Sequence, residues 1–475
     1  MRNTTGRFFS LDGKKKMAPT ESIAIFLAGT KAADIPAEVM TQAKRNVIDT
    51  LGVAIGGSRA AVARPLAQVY RAAKQGEAFL WDGSGRATAL DAACVNGTFA
   101  HALDFDDGGV ALTPMHPSSP VLPAVWALCE QRKGSGHDAL AAYVLGLEVE
   151  CKIVAAISLA HYDHGWHATG VLGALGAAAG ASWLLQLPVE RVRTALGIAA
   201  SMTGGLRANF GTMTKPLHAG LAARNGLTAA LLAEAGWSAD QNILEAKKGF
   251  FQVFGCGEVG ELNLGKPFHF SSPGVSIKRF PTCSATHHCI EAMTALKQEH
   301  GLDADQLENI DCSVHAVSYQ ALRKNPEVTS AEQARFSLHF ALAMVLLEGS
   351  VELKHFSPQT FSRLDVRALM QKVRVGIHPE LQSLESKKQA FGQVDVCLKD
   401  GRRLSNRAVQ VRGRAPLALE DSEVDAKFSG CVEPILGNEQ TQELLVALHG
   451  LESQPELHRL LPSAFKHANG SINQQ

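Results

Sequence analysis

The segment GWHATGVLGALGAAAGASWLL, residues 165–185, is the most informative part of the chain about its architecture. Residues 171–185 consist largely of Gly and Ala, and such small residues let helix backbones approach each other closely. The stretch is short for a bilayer-spanning helix, which needs about 20 apolar residues. It therefore predicts a helix buried among other helices, in a compact body of many helices.

Apolar residues at helical spacing extend on both sides of this segment, from Ser22 to about Gly260. A first helix is predicted from about Pro36 to Gly52 or soon after, with proline at its start. Further helices are predicted around residues 91–104, 123–130, 138–155, 171–185, 189–200 and 216–235. This half of the chain is thus expected to be entirely helical.

The pattern changes near Ser271. After a helix at residues 287–300, strand-like runs are predicted at 310–317, 373–377, 394–398 and 403–409, with helices at 330–347 and 364–372 between them. Asp400-Gly401 lies between the last two runs and is a hairpin signal. Helices are predicted again at 422–428 and 439–451.

These patterns predict a mainly α protein with two domains. A large all-helical domain would be formed by both chain ends, residues 18–271 and 413–468. A smaller inserted α+β lid domain would comprise residues 272–412.

Composition excludes several classes of protein. The 475 residues contain 46 Lys and Arg and 46 Asp and Glu, whereas a general nucleic-acid binder carries a basic excess. No segment is typical of a membrane span, and the first 17 residues lack the apolar region of a secretory signal. The nine cysteines are dispersed without a C-x-x-C pair, which favours reduced thiols and a cytoplasmic protein. Residues 1–16, including Lys14-Lys15-Lys16, are expected to be a loose, solvated extension.

The first candidate cluster is HALDFDDGG at residues 101–109, followed by His116. Asp104 is predicted in the last turn of a helix, where the helix dipole would raise its pKa and suit it to general-base chemistry. A metal site of His101, Asp104 and Asp107 is a less favoured alternative. An acidic helix end with a nearby loop histidine remains the structural alternative.

Two further clusters stand at predicted helix starts. His167 precedes the Gly/Ala-rich helix, with Thr169 as the expected N-cap, and the dipole there favours a neutral imidazole and a bound anion. Lys215 lies just before Pro216, with Thr214 or Lys215 expected to cap. A lysine at the positive end of a helix is locally unfavourable, which is typical of a carboxylate or phosphate receptor. For the nearby His161 and His164 we expect a packed loop.

The fourth cluster, KRFPTCSATHHC at residues 278–289, joins two cations to a histidine pair. Its Cys and His spacing matches no common zinc pattern, and no catalytic cysteine is supported. The chain also lacks a P-loop, a strand-associated G-x-G-x-x-G and a G-x-S-x-G motif. Nucleotide, dinucleotide and serine-hydrolase chemistry therefore lack their usual signatures.

At these residues the sequence resembles the MmgE/PrpD family, which includes 2-methylcitrate dehydratase, cis-aconitate decarboxylase and iminodisuccinate epimerase. The resemblance spans about residues 20–465. Its strongest blocks, in chain order, are residues 101–124, 165–180, 214–233 and 278–287, with weaker agreement at 334–343 and 425–437.

The resemblance implies a homodimer with a cofactor-independent active site, without a metal, between the two domains. It implies catalytic residues Asp104, His116, His167, Lys215 and His287, and substrate-binding residues Lys278, Arg279 and Tyr319. The expected partner is a small di- or tricarboxylate, with no nucleic acid and no membrane.

The resulting prediction is a lyase that abstracts a proton next to a carboxylate, with dehydration favoured. Decarboxylation of the cis-aconitate type and epimerisation of the iminodisuccinate type are alternatives on the same scaffold. Gly108 stands where the decarboxylase-like members carry Thr, and the loop from Asp107 to His116 is slightly longer than theirs. A non-catalytic carboxylate-binding protein is the alternative from another class, although binding alone would not need so many titratable groups.

Overall fold

A computed structural model describes residues 17–70, 76–108, 115–158, 160–255, 257, 259–383 and 390–465. The extension predicted at residues 1–16 and part of the loop between Asp107 and His116 lie outside these ranges. The protein is mainly α-helical with only small sheets, as predicted.

The first part of the chain is built from helices joined by short connections. These are α1 (Pro19–Gly29), α2 (Ala37–Gly57), α3 (Ala63–Tyr70), α4 (Ala89–Ala102), α5 (Ser118–Gln131), α6 (Gly136–Ala156), α7 (Ala160–Asp163), α8 (Ala168–Leu184), α9 (Val189–Ser201), α10 (Thr214–Glu234) and α11 (Phe250–Val253). A two-stranded antiparallel ribbon of β1 (Ala78–Phe79) and β2 (Arg86–Ala87) lies between α3 and α4.

The second part mixes helices with a four-stranded sheet. Its elements are α12 (His287–His300), β3 (Leu307–Val314), α13 (Ala316–Ala321), α14 (Ala331–Ala334), α15 (Leu338–Glu348), α16 (Pro358–Ser362), α17 (Leu364–Met370), β4 (Val373–Ile377), β5 (Gly392–Leu398) and β6 (Arg403–Ala408), before α18 (Asp421–Leu436) and α19 (Asn438–His449). The strand order is β4-β3-β5-β6, with β3 parallel to β4 and antiparallel to β5. Strands β5 and β6 form the antiparallel hairpin predicted around Asp400-Gly401.

Buried apolar side chains fall into two groups. The larger group, here the large core, joins side chains between Ile23 and Ile277 to side chains between Leu419 and Phe465. The small core contains side chains between Phe280 and Leu398. Both chain ends therefore contribute to the large core, as an inserted second unit requires; the boundaries at residues 271 and 412 remain a proposal.

The Gly/Ala-rich helix α8 is buried along almost its whole length. Its small residues allow close approach, because a Cβ on Gly176 would lie 2.6 Å from a carboxylate oxygen of Glu150 on α6. A Cβ on Gly226 of α10 would lie 2.5 Å from the carbonyl oxygen of Ala174. The small side chains thus fix how near α6 and α10 come to α8.

Some helix boundaries differ from the prediction. Helix α2 continues through Gly52 to Gly57, because Gly52 serves as a contact point for the ring of Phe428 rather than as a stop. The helix predicted at residues 330–347 is divided into α14 and α15, since Ser337 accepts a hydrogen bond from the amide of Phe340 and starts a new helix. Within the described ranges, no helix combines the length and apolar character needed to cross a bilayer.

Candidate active site

The site begins at the acidic turn that follows α4. Helix α4 ends at Ala102, and Asp104 has a positive φ of 50°, a conformation that Asp tolerates better than most residues. His101 Nδ1 lies 2.7 Å from Asp106 Oδ2, which also accepts a hydrogen bond from the Ser119 hydroxyl at the start of α5. Burial lowers the pKa of His101 to about 3, so the neutral ring donates from Nδ1 to an ionised Asp106.

Asp104 is the meeting point of two buried lysines. Lys278 Nζ donates to Asp104 Oδ1 and to its backbone carbonyl, both at 2.6 Å. Lys215 Nζ lies 3.4 Å from the same Oδ1. The rings of Phe210 and Phe336 lie 5.5 Å and 5.4 Å from the Lys215 ammonium. The lysines therefore face one carboxylate in surroundings where water is largely excluded.

The prediction that Asp104 has a raised pKa is wrong, and the argument for a general base loses that support. Burial alone would raise the pKa of Asp104, but the ammonium groups of Lys215 and Lys278 outweigh it and hold that pKa well below its usual value. Asp104 also follows α4 instead of lying in its last turn. A carboxylate held ionised in this way is a weak base, and both lysine ammonium groups face it.

His116 is the better candidate for proton transfer. Its Nδ1 lies 2.6 Å from the backbone carbonyl of Asp107, which can only accept, so Nδ1 carries a proton. In the neutral ring the lone pair is then on Nε2, which lies 3.9 Å from Asp104 Oδ1. The backbone amide of His116 donates to the hydroxyl of Thr169, which fixes the histidine against α8. Thr169 lies in the first turn of α8, so the prediction that it is the N-cap is wrong.

His167 is itself the N-cap residue of α8 and is almost fully buried. Its Nδ1 lies 3.0 Å from Nδ1 of His218 on α10, so one ring donates and the other accepts. Its ring stacks on His101 with centroids 5.6 Å apart. Burial lowers the pKa of both His167 and His218, helped by Lys215, so both rings are neutral. The neutral state predicted for His167 agrees with this direction.

Helix starts converge on the cluster. Thr214 and Lys215 open α10, and Met213 is its N-cap, so the predicted capping by Thr214 or Lys215 is wrong. His167 caps α8, and Ser118 opens α5. The positive dipole ends of such helices favour bound anions, which adds to the lysine charges.

Distant segments hold the two halves of the cluster together. The amide of Gly108 donates to the carbonyl of Ser276 across an isolated antiparallel bridge, two residues before Lys278. From α18, Lys427 Nζ lies 2.6 Å from Asp49 Oδ1 on α2 and donates to the carbonyls of Phe105 and Lys278 at 2.7 Å and 2.9 Å. Lys427 thereby fixes the acidic turn relative to the segment that carries Lys278.

A second buried acid stands behind the turn. Asp107 accepts hydrogen bonds from the amide and hydroxyl of Ser118, whose hydroxyl also meets that of Tyr143. Burial raises the pKa of Asp107 to about 8, and the nearby Asp106 and Asp49 add to this effect. Asp107 is therefore mainly protonated at neutral pH, unlike Asp104 and Asp106.

The remaining predicted residues lie at different distances from this cluster. His287 opens α12, and its Nε2 lies 3.2 Å from the carbonyl of Thr282; burial, with Arg414 and Lys278, lowers its pKa. Arg279 pairs with Glu291 at 3.3 Å and has a side chain that is 36% exposed. Tyr319 on α13 packs its ring against the Lys324 ammonium. The structure thus brings Asp104, His116, Lys215 and Lys278 into contact, whereas Arg279 and Tyr319 make these other contacts.

One group of metal-type ligands converges within the described residues, and it differs from the predicted set of His101, Asp104 and Asp107. His101, Asp106 and His116 each offer an atom within 4.8 Å of the others. His101 Nδ1, Asp106 Oδ2 and His116 Nδ1 make the hydrogen bonds given above, whereas His101 Nε2 and Asp106 Oδ1 are buried without a partner among the described residues. Asp104 and Asp107 of the predicted set face the lysines and Ser118 instead.

Sequence reasoning did not single out His218, Asp106 or Arg335. His218 and Asp106 stand inside quoted motifs, and the signal was their spacing from a predicted site residue: three after Lys215 along a helix, and two after Asp104. Arg335 lies in the 334–343 block and is buried near the cluster. Its burial has no sequence signal, because it depends on packing between distant segments.

Comparison with known proteins gives consistent matches. The MmgE/PrpD N-terminal domain matches residues 21–262, and the MmgE/PrpD C-terminal domain matches residues 280–452. Cis-aconitate decarboxylase of Homo sapiens is 31% identical over 449 residues, covering 91% of this chain and 92% of that protein. The Mus musculus protein of the same name is 31% identical over 450 residues, covering 91% and 90%. Cis-aconitate decarboxylase of Aspergillus terreus is 30% identical over 420 residues, covering 83% of each.

Proposed function

The chain belongs to the MmgE/PrpD family, and we propose that it is a lyase that removes CO2 from a small unsaturated tricarboxylate of the cis-aconitate type. The observation that carries the proposal is the buried contact of Lys215 and Lys278 with Asp104, beside the imidazole of His116. Such a cluster can hold carboxylates and stabilise the negative charge of a carbanion-like intermediate. Because these relatives are decarboxylases, we rank decarboxylation above dehydration, the reaction that the sequence alone favours.

The chemistry fits these side chains. In cis-aconitate, the C–C bond to the carboxylate on the CH2 group breaks and CO2 leaves. The electron pair moves through the double bond to the carbon that bears another carboxylate, where the charge spreads onto that carboxylate. The lysine ammonium groups stabilise this charge, and a proton added to the carbon gives itaconate.

His116 is the residue we assign to that proton transfer. Its Nδ1 donates to a backbone carbonyl, which orients the ring and leaves Nε2 to exchange the proton. Lys215 and Lys278 act as carboxylate receptors, and Asp104 holds them in place between turnovers. His167 and His218, both neutral, complete the polar wall beside Lys215.

Dehydration of a hydroxylated polycarboxylate is the second candidate. Asp104 Oδ2 is buried and has no hydrogen-bond partner among the described residues. A substrate hydroxyl could donate to this oxygen, whereas cis-aconitate has no hydroxyl to offer. This free acceptor is the observation that favours a dehydratase. Dehydration, which the sequence analysis favours, therefore remains the alternative function.

Proton NMR in D2O separates the candidates. The protein would be mixed in turn with citrate, 2-methylcitrate, cis-aconitate, itaconate, tartrate, malate and iminodisuccinate. We expect cis-aconitate to lose its vinyl signal while two signals of a CH2=C group appear, with deuterium at the new CH2 group. A new vinyl signal from citrate or 2-methylcitrate would favour the dehydratase, and exchange without a new product would indicate an epimerase.

A matched pair of histidine variants tests the site. His116→Gln should lower the turnover rate by a factor of about 100 or more, as expected for loss of a general acid or base. His449→Gln changes a histidine that is 44% exposed and pairs with Asp425, and should leave turnover unchanged. Silence of the folded parent protein across the panel would contradict the proposed function, and equal activity of both variants would contradict the assignment of His116.

A further inference from the structure

Arg335 is a buried cation outside the cluster described so far. It follows α14 as its C-cap residue, and only 5% of it is exposed. Its segment belongs to the small core, because both Ala334 and Leu338 are buried there. An arginine side chain is rarely buried to this degree without a partner of opposite charge.

The guanidinium of Arg335 lacks such a partner. Its Nε is buried without a hydrogen bond, and no carboxylate of the described residues lies within 4 Å of the group. Glu332, one turn earlier, and Asp104 attract it only from longer range. The ring of Phe356 lies 5.5 Å from the guanidinium carbon and restricts where the planar group can sit. An unpaired buried charge is costly, so a ligand of opposite charge would be strongly favoured.

Arg335 lies against the active site. Its carbonyl accepts a hydrogen bond of 2.9 Å from the amide of Cys283, within the 278–289 cluster. The neighbouring Phe336 places its ring 5.4 Å from the Lys215 ammonium. Asp104, which contacts both lysines, also acts electrostatically on Arg335. Arg335 therefore approaches from the small core the same space that Lys215 and Lys278 border.

We propose that Arg335 binds one carboxylate of the substrate, in addition to those held by Lys215 and Lys278, and so selects tricarboxylates over dicarboxylates. This inference rests on the proposed function, because it assigns a substrate class to the same site. Lys215 and Lys278 share Asp104 as a counter-ion, whereas Arg335 has none in contact within the part of the chain that the structure describes. A guanidinium can also grip a carboxylate with two parallel hydrogen bonds, which gives geometric selection that an ammonium does not.

The test measures binding and needs no turnover. Calorimetric titration would compare propane-1,2,3-tricarboxylate with glutarate and methylsuccinate, each of which lacks one of its carboxylates. The parent protein should bind the tricarboxylate more tightly than either dicarboxylate. Arg335→Gln should weaken tricarboxylate binding on the order of 10- to 100-fold, the range for loss of charge-assisted hydrogen bonds. The same variant should change by less than about 3-fold the binding of the dicarboxylate that lacks the carboxylate held by Arg335, whereas the other dicarboxylate should be weakened.

Two further variants complete the experiment. Arg335→Lys keeps the charge but loses the paired donors, so it should retain part of the selectivity; it also serves as the test if Arg335→Gln does not fold. Arg402→Gln alters an arginine that is 64% exposed on the β5–β6 hairpin and should bind like the parent. Circular dichroism would establish that each variant is folded.

The outcomes are separable. Equal weakening of all three ligands, no weakening, or no tricarboxylate binding by the parent at about 10 mM would overturn the role of Arg335. Selective binding that depends on Arg335, with no turnover in the NMR panel, would support this inference and contradict the proposed function. Turnover in the NMR panel, with no effect of the Arg335 variants on selectivity, would support the proposed function and contradict the role of Arg335.

Discussion

Replacing Asp104 by Asn isolates the charge that holds the two lysines. The side chains have nearly the same shape, and Asn tolerates the positive φ of 50° at this position, so the backbone gains no strain. What changes is that Lys278 and Lys215, at 2.6 Å and 3.4 Å from Oδ1, lose their shared anion. The substitution therefore leaves two buried ammonium groups without compensation.

The magnitude follows from these distances. With an effective dielectric constant of about 20, unit charges at 2.6 Å and 3.4 Å attract by roughly 6 and 5 kcal/mol. Desolvation of the charges offsets much of this attraction, and breaking a buried pair by removing one partner costs about 3–5 kcal/mol in practice. We expect Asp104→Asn to lower the free energy of unfolding by that amount. For a chain of 475 residues the entropy of unfolding is about 1 kcal/mol/K, so each kcal/mol shifts the Tm by about 1 °C, and the Tm should fall by roughly 3–5 °C.

Thermal unfolding with and without propane-1,2,3-tricarboxylate measures both the loss and its repair. The ligand supplies the missing negative charge, so it should raise the Tm of Asp104→Asn by more than it raises the Tm of the parent. Asp425→Asn, which removes a partly exposed acid paired with His449, should shift the Tm by less than about 1 °C. A fall in Tm for Asp104→Asn no larger than this control would refute the reasoning.

The pH dependence gives a second check on the same variant. Because the two lysines lower the pKa of Asp104 in the folded state, its stabilising contribution is present above the unfolded pKa of about 4. It is lost only as the pH falls through the lower folded-state pKa. The difference in stability between parent and Asp104→Asn should therefore be constant between pH 5 and pH 8, and a difference that shrinks across this window would contradict the lowered pKa.

Three other substitutions test the surroundings of the site. Lys427→Met should lower the free energy of unfolding, measured by urea titration, by about 3–5 kcal/mol, because it leaves Asp49 buried without its cation. Adding Asp49→Asn to this variant should restore part of the lost stability. Burial raises the pKa of Asp107 to about 8, so the folded state holds a proton there that the unfolded state loses above about pH 4, and the free energy of unfolding should decline from about pH 4 to pH 8. Asp107→Asn should flatten that decline by up to about 1.4 kcal/mol per pH unit. An unchanged slope would contradict the raised pKa. Gly220→Ala should destabilise the protein, because the added Cβ would collide with the backbone of α4. Gly430→Ala, whose Cβ would have nothing within 4 Å, should stabilise the protein by up to about 1 kcal/mol. Equal shifts in Tm for the two variants would refute the close helix contact.

Local signals were sufficient for much of the fold. Helical periodicity located α6, α9 and α12 to within about two residues, and the Asp400-Gly401 turn identified the hairpin of β5 and β6. The end of α2 was missed because the context that overrides Gly52 is the ring of Phe428, far away in sequence. Errors of this kind arise where tertiary packing outweighs intrinsic propensity.

The site shows the same division between local and distant causes. The lysine at the start of α10 was recognised because it violates a local rule. The ionisation state of Asp104 was mistaken, because its helix-end position argues for a raised pKa while the lysines that decide it come from positions 215 and 278. Arg335 carried no local signal at all, since its burial, and its lack of a partner among the described residues, exist only after the small core has packed against the site.

The arrangement also explains how one scaffold could support elimination, decarboxylation or epimerisation. All three reactions pass through negative charge next to a carboxylate, and under the proposed function the cations around Asp104 would stabilise that charge in each of them. The outcome must then depend on what meets the departing group and where the proton of His116 is delivered. The buried atoms without a hydrogen-bond partner among the described residues include Asp104 Oδ2, an acceptor, and Arg335 Nε, a donor. A substrate hydroxyl would use the first and an additional carboxylate the second, so the change in affinity caused by removing each group reports which substrate the site is built to hold.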